Sequence, residues 1–156
     1  LHGKGHCVEF IEEGNAKTPD ILIINGNDRC EIECKHKEPG EDQLDYIKSI
    51  YNNTQRARKQ FSKTCAGAIF IEVDKRKYDD FLQERERLAS EMGRAIRGSN
   101  SISAICLTSK ISFEDENDFV YRHRASMRLS TNAKIPMPAV FLQGLINCKR
   151  DDVSNS

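Results

Sequence analysis

The sequence predicts an α/β fold, a mixed β-sheet flanked by helices, on three observations. Short alternating or continuously apolar stretches come first and lie close together. Two longer stretches of helical periodicity then bracket a buried apolar run. Two further strand-like segments follow, around an acidic turn.

Cys7 to Glu12 alternates and reads as a strand, with Val8 and Phe10 on one side, until Gly14-Asn15 breaks it. Asp20 to Asn25 is a second strand, apolar on both faces as a central position requires. Asn25-Gly26-Asn27-Asp28 is the strongest turn signal in the chain. Arg29 to Lys37 forms the third strand, ended by Pro39-Gly40. A helix is expected from about Glu41 to Ser62, because Leu44, Ile47, Tyr51, Thr54, Arg58 and Phe61 recur at helical spacing. Gly67 to Val73 is a buried fourth strand. A second helix runs from about Tyr78 to Arg97, with Phe81, Leu88, Met92 and Ile96 on one side and Gly98 as its stop. Ser101 to Phe113 and Phe119 to Leu129 form an additional C-terminal hairpin around Glu114-Asp115-Glu116-Asn117-Asp118.

At 156 residues the chain suits one domain, expected over 1–147, with 148–156 a polar, frayed tail. It begins without an initiating Met or an apolar signal core, as a piece of a longer protein would. No apolar run is long enough to span a bilayer, so no membrane partner is expected. Hydrophobic residues make up 38% and charged residues 31%, the balance of a globular protein with a wet surface. Acidic and basic residues number 24 each, so binding of nucleic acid by overall charge is excluded and a local basic patch is required. The cysteines at 7, 30, 34, 65, 106 and 148 form no C-x-x-C pair. They read as reduced core residues of an intracellular, cytoplasmic protein, which argues against structural zinc or an iron–sulfur cluster. No Gly-rich phosphate loop or serine-hydrolase motif occurs.

The chemistry concentrates in the third strand, Cys30-Glu31-Ile32-Glu33-Cys34-Lys35-His36-Lys37. Alternation puts Glu31, Glu33, Lys35 and Lys37 on one face and Cys30, Ile32, Cys34 and His36 on the other. By itself this describes an amphipathic strand with its charged face in water. The hairpin adds a second carboxylate. A two-residue loop sets Asp20 opposite Glu31, and a four-residue loop sets it opposite Glu33. Either even length puts Asp20 on the face of Glu33 and Lys35. Carboxylates facing each other across a ladder repel, and a divalent cation removes that repulsion. Oxygen-only ligands suit Mg2+ or Mn2+ rather than zinc. Lys35 adds a compact positive charge beside any attacking water.

Pro19-Asp20, twelve intervening residues and then Glu33-Cys34-Lys35 resembles the signature of the PD-(D/E)xK nucleases, over about residues 7 to 97. The resemblance implies a restriction-endonuclease-like sheet and a Mg2+- or Mn2+-dependent nuclease acting on nucleic acid, DNA before RNA. It implies Asp20 and Glu33 as metal ligands with the carbonyl of Cys34, and Lys35 as the catalytic lysine that positions or activates water. Family members often carry a further acid ahead of the first strand, for which Glu9 or Glu12 is the candidate here. A Gln-x-x-x-Tyr motif known from some branches is incomplete. Gln43 and Gln55 are present, but Ile47 and Lys59 occupy the tyrosine positions, and Gln55 stands as an accessory candidate. Arg56, Arg58, Lys59 and Lys63 form a basic stretch suited to phosphates. The resemblance implies part of a larger defence, repair or mobile-element protein, as a homodimer or attached to further domains. The alternative is a catalytically inactive nuclease-like module that binds nucleic acid or protein.

Overall fold

The computed structural model describes residues 5–12, 17–36, 46–73, 79–80, 82–115 and 118–147. Its strands are β1 Cys7–Phe10, β2 Ile21–Asn25, β3 Asp28–His36, β4 Ala66–Glu72, β5 Ala104–Asp115 and β6 Asp118–Leu129. Its helices are α1 Tyr46–Ala57, α2 Arg85–Arg97 and α3 Ala139–Asn147. The six strands form one sheet in sequence order. β1, β2 and β3 are antiparallel neighbours, β3, β4 and β5 are parallel, and β6 returns antiparallel to β5. The α/β class with a mixed sheet flanked by helices is therefore present.

The parallel steps are made by crossovers that carry α1 and α2 over one face of the sheet. That face holds the larger core. Ile47, Ile50 and Ala57 of α1 and Leu88, Met92, Ala95 and Ile96 of α2 pack on Ile69, Ile71, Ile105 and Leu107. Gly67 lets the chain close tightly there, since a Cβ would collide with the Ser101 carbonyl and lie 2.9 Å from Cγ of Phe61. The opposite face is covered by α3, whose Phe141 packs with Ile23, Cys30, Ile32, Ala66, Ala68 and Ala104.

Several sequence expectations are revised. The expected C-terminal hairpin is present as β5 and β6, but β5 also pairs with β4, so the hairpin extends the central sheet rather than standing apart from it. α3 had no counterpart in the expected elements: it is short, and two prolines, Pro136 and Pro138, precede it. α1 ends at Ala57 rather than Ser62, so Arg58–Phe61 lie in the turn that follows. The expected helix start at 41–45 lies outside the described residues, as do Tyr78 and Phe81. Among the described cysteines, Cys30, Cys65 and Cys106 are buried as expected, whereas Cys7 and Cys34 are exposed. Phe10 is 81% exposed, so the apolar side of β1 is not a core position at its end.

Candidate metal centre

Asn25 pairs with Asp28 and Ile21 with Ile32, so Gly26 and Asn27 form the turn, with Gly26 at φ +59°. A side chain is strained at that angle, which explains glycine there. The register is the one drawn for the four-residue loop, although the terminal pair 25–28 itself joins the ladder. The regular pairing ends at Ile21–Ile32, with Asp20 one residue before β2.

At Asp20 the strand has just begun and the ladder is irregular. The Asp20 N–H donates to the Ile32 carbonyl at 3.0 Å, and its own carbonyl accepts from Ile11 at 2.9 Å. The side chain turns to β3, where Oδ2 accepts the Cys34 N–H at 2.6 Å.

Glu33 projects to the helical face from a strand paired on both sides, in line with Ile69 of β4 and Ile105 of β5. It is 1% exposed. Lys35 projects to the same face and its Nζ donates to Glu33 Oε1. Oε2 of Glu33 is buried and has no hydrogen-bond partner among the described residues. A buried carboxylate oxygen left unpaired costs free energy on the order of 1–3 kcal/mol. The charged face of β3 is thus no solvated face. Glu31 is also buried, and its Oε2 accepts the Ser62 N–H at 2.7 Å.

Cys34 lies on the opposite face, yet its thiol feels the same charges. Its pKa is raised, first by partial burial and then by Asp20 and Glu33, with Lys35 acting in the other direction. Asp20, Glu33 and Lys35 are thus close neighbours of one main-chain unit.

The accessory candidates sit elsewhere. Glu9 pairs in register with Leu22, and its Oε1 accepts from the Cys7 thiol at 3.7 Å, toward the hairpin's turn end. Gln55 turns to α2, where Nε2 donates to the Ala95 carbonyl at 3.5 Å. Arg58 donates to the Gly98 carbonyl at 3.2 Å. Arg56, Lys59 and Lys63 are exposed. Two residues not singled out from the sequence tie this basic stretch to the centre. Gln60 Nε2 donates to the Thr18 carbonyl at 3.0 Å, two residues before Asp20, and Ser62 is held by Glu31, two residues before Glu33. Neither tie has a signature in the sequence, because each joins segments dozens of residues apart.

Among the described residues no three His, Cys, Asp or Glu side chains gather as a metal-holding group. The contacts shown are the Asp20 carboxylate on the Cys34 N–H and the Lys35 ammonium on Glu33, at adjoining positions of β3. No protein-family model, curated protein or solved structure matches this chain. Among the described residues no helix is long and apolar enough to cross a membrane.

Proposed function

We propose that this chain is a metal-dependent nuclease domain that hydrolyses phosphodiester bonds in DNA, of the PD-(D/E)xK kind that its Pro19-Asp20 and Glu33-Cys34-Lys35 segments resemble. The observation that carries the reading is Glu33. This carboxylate is buried, and Lys35 occupies Oε1. Its Oε2 is orphaned, and the Asp20 carboxylate is held by the N–H of the next residue, Cys34. Burying an incompletely paired carboxylate next to a second one is unfavourable unless a cation completes the arrangement.

The donor set fits a hard divalent cation, Mg2+ or Mn2+, held by Asp20, Glu33 and the Cys34 carbonyl. When bound, such an ion acidifies water and offsets charge on the phosphate. The protein's own part is positional. Asp20 is held to β3 by the Cys34 N–H, so its remaining oxygen is directed by the main chain. Glu33 is fixed by the core around it. Lys35, 31% exposed, reaches from solvent to Glu33 and can hold an attacking water or neutralise developing negative charge at the scissile phosphate. Arg56, Lys59 and Lys63 supply exposed charge for the phosphate backbone, and this contribution weakens as salt rises.

The test is cleavage of single- and double-stranded DNA and of RNA in Mg2+, Mn2+ or EDTA. Expected are metal-dependent cleavage of DNA and a fall of about a hundredfold or more in Lys35→Ala. Cleavage that survives both chelation and Lys35→Ala overturns the assignment. Binding of DNA without cleavage in any metal supports instead the inactive module, a reading favoured by Gln55 and Glu9 being engaged away from the centre.

A further inference from the structure

β6 is an edge strand of the sheet, and its outer edge meets no other strand among the described residues. It spans 12 residues, three times the length of the opposite edge strand, β1, at 4 residues. A long open edge is a template for pairing with another extended chain. Along its described part the two faces differ. Arg124, Ser126 and Arg128 lie in register with Ser109, Leu107 and Ile105 and so project to the helical face. Ala125, Met127 and Leu129 project to the other face, where Met127 is 36% and Leu129 44% exposed.

Between β6 and α2 lies an open groove of about 580 Å³. Leu82, Leu88 and Met92 supply its apolar lining, and Arg85, Arg124 and Arg128 its charge. Arg124 pairs with Asp79 at 3.1 Å. No ion pair holds Arg85 or Arg128 among the described residues.

We propose that the β6 edge and this groove dock an extended acidic peptide segment of a partner protein, added to the sheet as a seventh strand. Pairing would satisfy the outward N–H and C=O groups of β6, which supplies affinity in this mode of recognition. Residues opposite Arg124 and Arg128 would share their face, so acidic side chains there meet the guanidiniums. The intervening residues would lie beside Met127 and Leu129, where apolar side chains fit. The segment recognised thus alternates acidic and apolar residues. A second copy of this chain does not suit the edge in the register centred on Ser126. Two-fold pairing about Ser126 opposes Arg124 to Arg128, and like charges directly opposite destabilise a ladder. Nucleic acid would answer the arginines but neither the open ladder nor Met127 and Leu129.

The proposal is independent of any cleavage activity. Its test is titration of the protein with a short acetylated peptide alternating Glu and Val, read by calorimetry and by amide hydrogen exchange. Expected are saturable binding and new protection at outward-facing amides of residues 124–129. Arg85→Glu with Arg128→Glu should weaken binding about tenfold, and a peptide alternating Lys and Val should then bind better than the Glu peptide. Both positions are exposed, and circular dichroism confirms that the variant is folded. Absence of binding, indifference to the double charge reversal, or displacement of the peptide by a DNA oligonucleotide each overturns the proposal.

Discussion

Cys34 donates its backbone N–H to Oδ2 of Asp20 at 2.6 Å, a main-chain to side-chain bond that replaces a rung of the β2–β3 ladder. The substitution has two effects. It anchors the Asp20 carboxylate beside β3, and it sets Asp20 off the regular ladder, one residue before β2.

If the centre takes a cation, Mn2+ should stabilise the folded protein. At a roughly hundredfold excess over Kd the gain is about 2.7 kcal/mol, a rise of several degrees in Tm. Glu33→Gln should abolish that rise while leaving the metal-free protein as stable as the parent or more so, because the repulsion with Asp20 is gone. Differential scanning calorimetry with and without Mn2+ decides this. An equal Mn2+ response in both proteins sinks the assignment of Glu33.

Glu31 is structural by its contacts, accepting the Ser62 N–H at 2.7 Å in a buried setting. Glu31→Ala should cost about 1–3 kcal/mol in urea unfolding, since it orphans that donor. It should also loosen the basic stretch, raising KM for DNA more than it lowers kcat. A variant with unchanged stability would show that Ser62 finds another acceptor.

Burial pushes the thiols of Cys30 and Cys106 up to about 12 from 9.0, with Cys65 and Glu31 adding to the effect at Cys30. Unfolded thiols ionise near 9.0, so between there and about 12 the folded state holds protons that the unfolded state has released. Stability is therefore fully present below the unfolded value and falls across that window. The slope is up to about 1.4 kcal/mol per pH unit for each thiol. Cys106→Ala should flatten the decline. Near neutral pH iodoacetamide should label exposed Cys7 and leave Cys30 and Cys106 unmodified until the protein unfolds. Equal labelling rates in the native state would contradict this.

Gly67→Ala should be strongly destabilising, by about 2–4 kcal/mol, because the added methyl meets the Ser101 main chain and the Phe61 ring. Neither neighbour yields easily, one being backbone and the other a buried ring. Thermal unfolding of the variant measures the effect, and a loss below about 0.5 kcal/mol would mean the β4–β5 crossover is looser than the packing indicates.

Much of the fold was legible because it depends on local pattern. β2 and β4 announce themselves as apolar runs, and α1 and α2 by their helical stripes. Ile50 and Ala57 nevertheless belong to the α1 core and stood outside the expected stripe. α3 was missed because nine residues after a proline pair carry too little periodicity to stand out.

The sequence by itself determined that Glu31, Glu33 and Lys35 share a face of β3, since strand alternation leaves no other outcome. It also set the Asn25–Asp28 turn, through the positive φ that only Gly26 adopts freely. Tertiary structure alone decided that this face lies under α1 and α2 rather than in water. Alternation says which residues lie together but not which side of a sheet the crossovers cover. That choice buried Glu33, left Oε2 without a partner, and turned Gln55 toward α2 and Gln60 toward Thr18. It also left β6 at the edge of the sheet, with no outer strand among the described residues, because strand order is set by packing between segments distant in the chain.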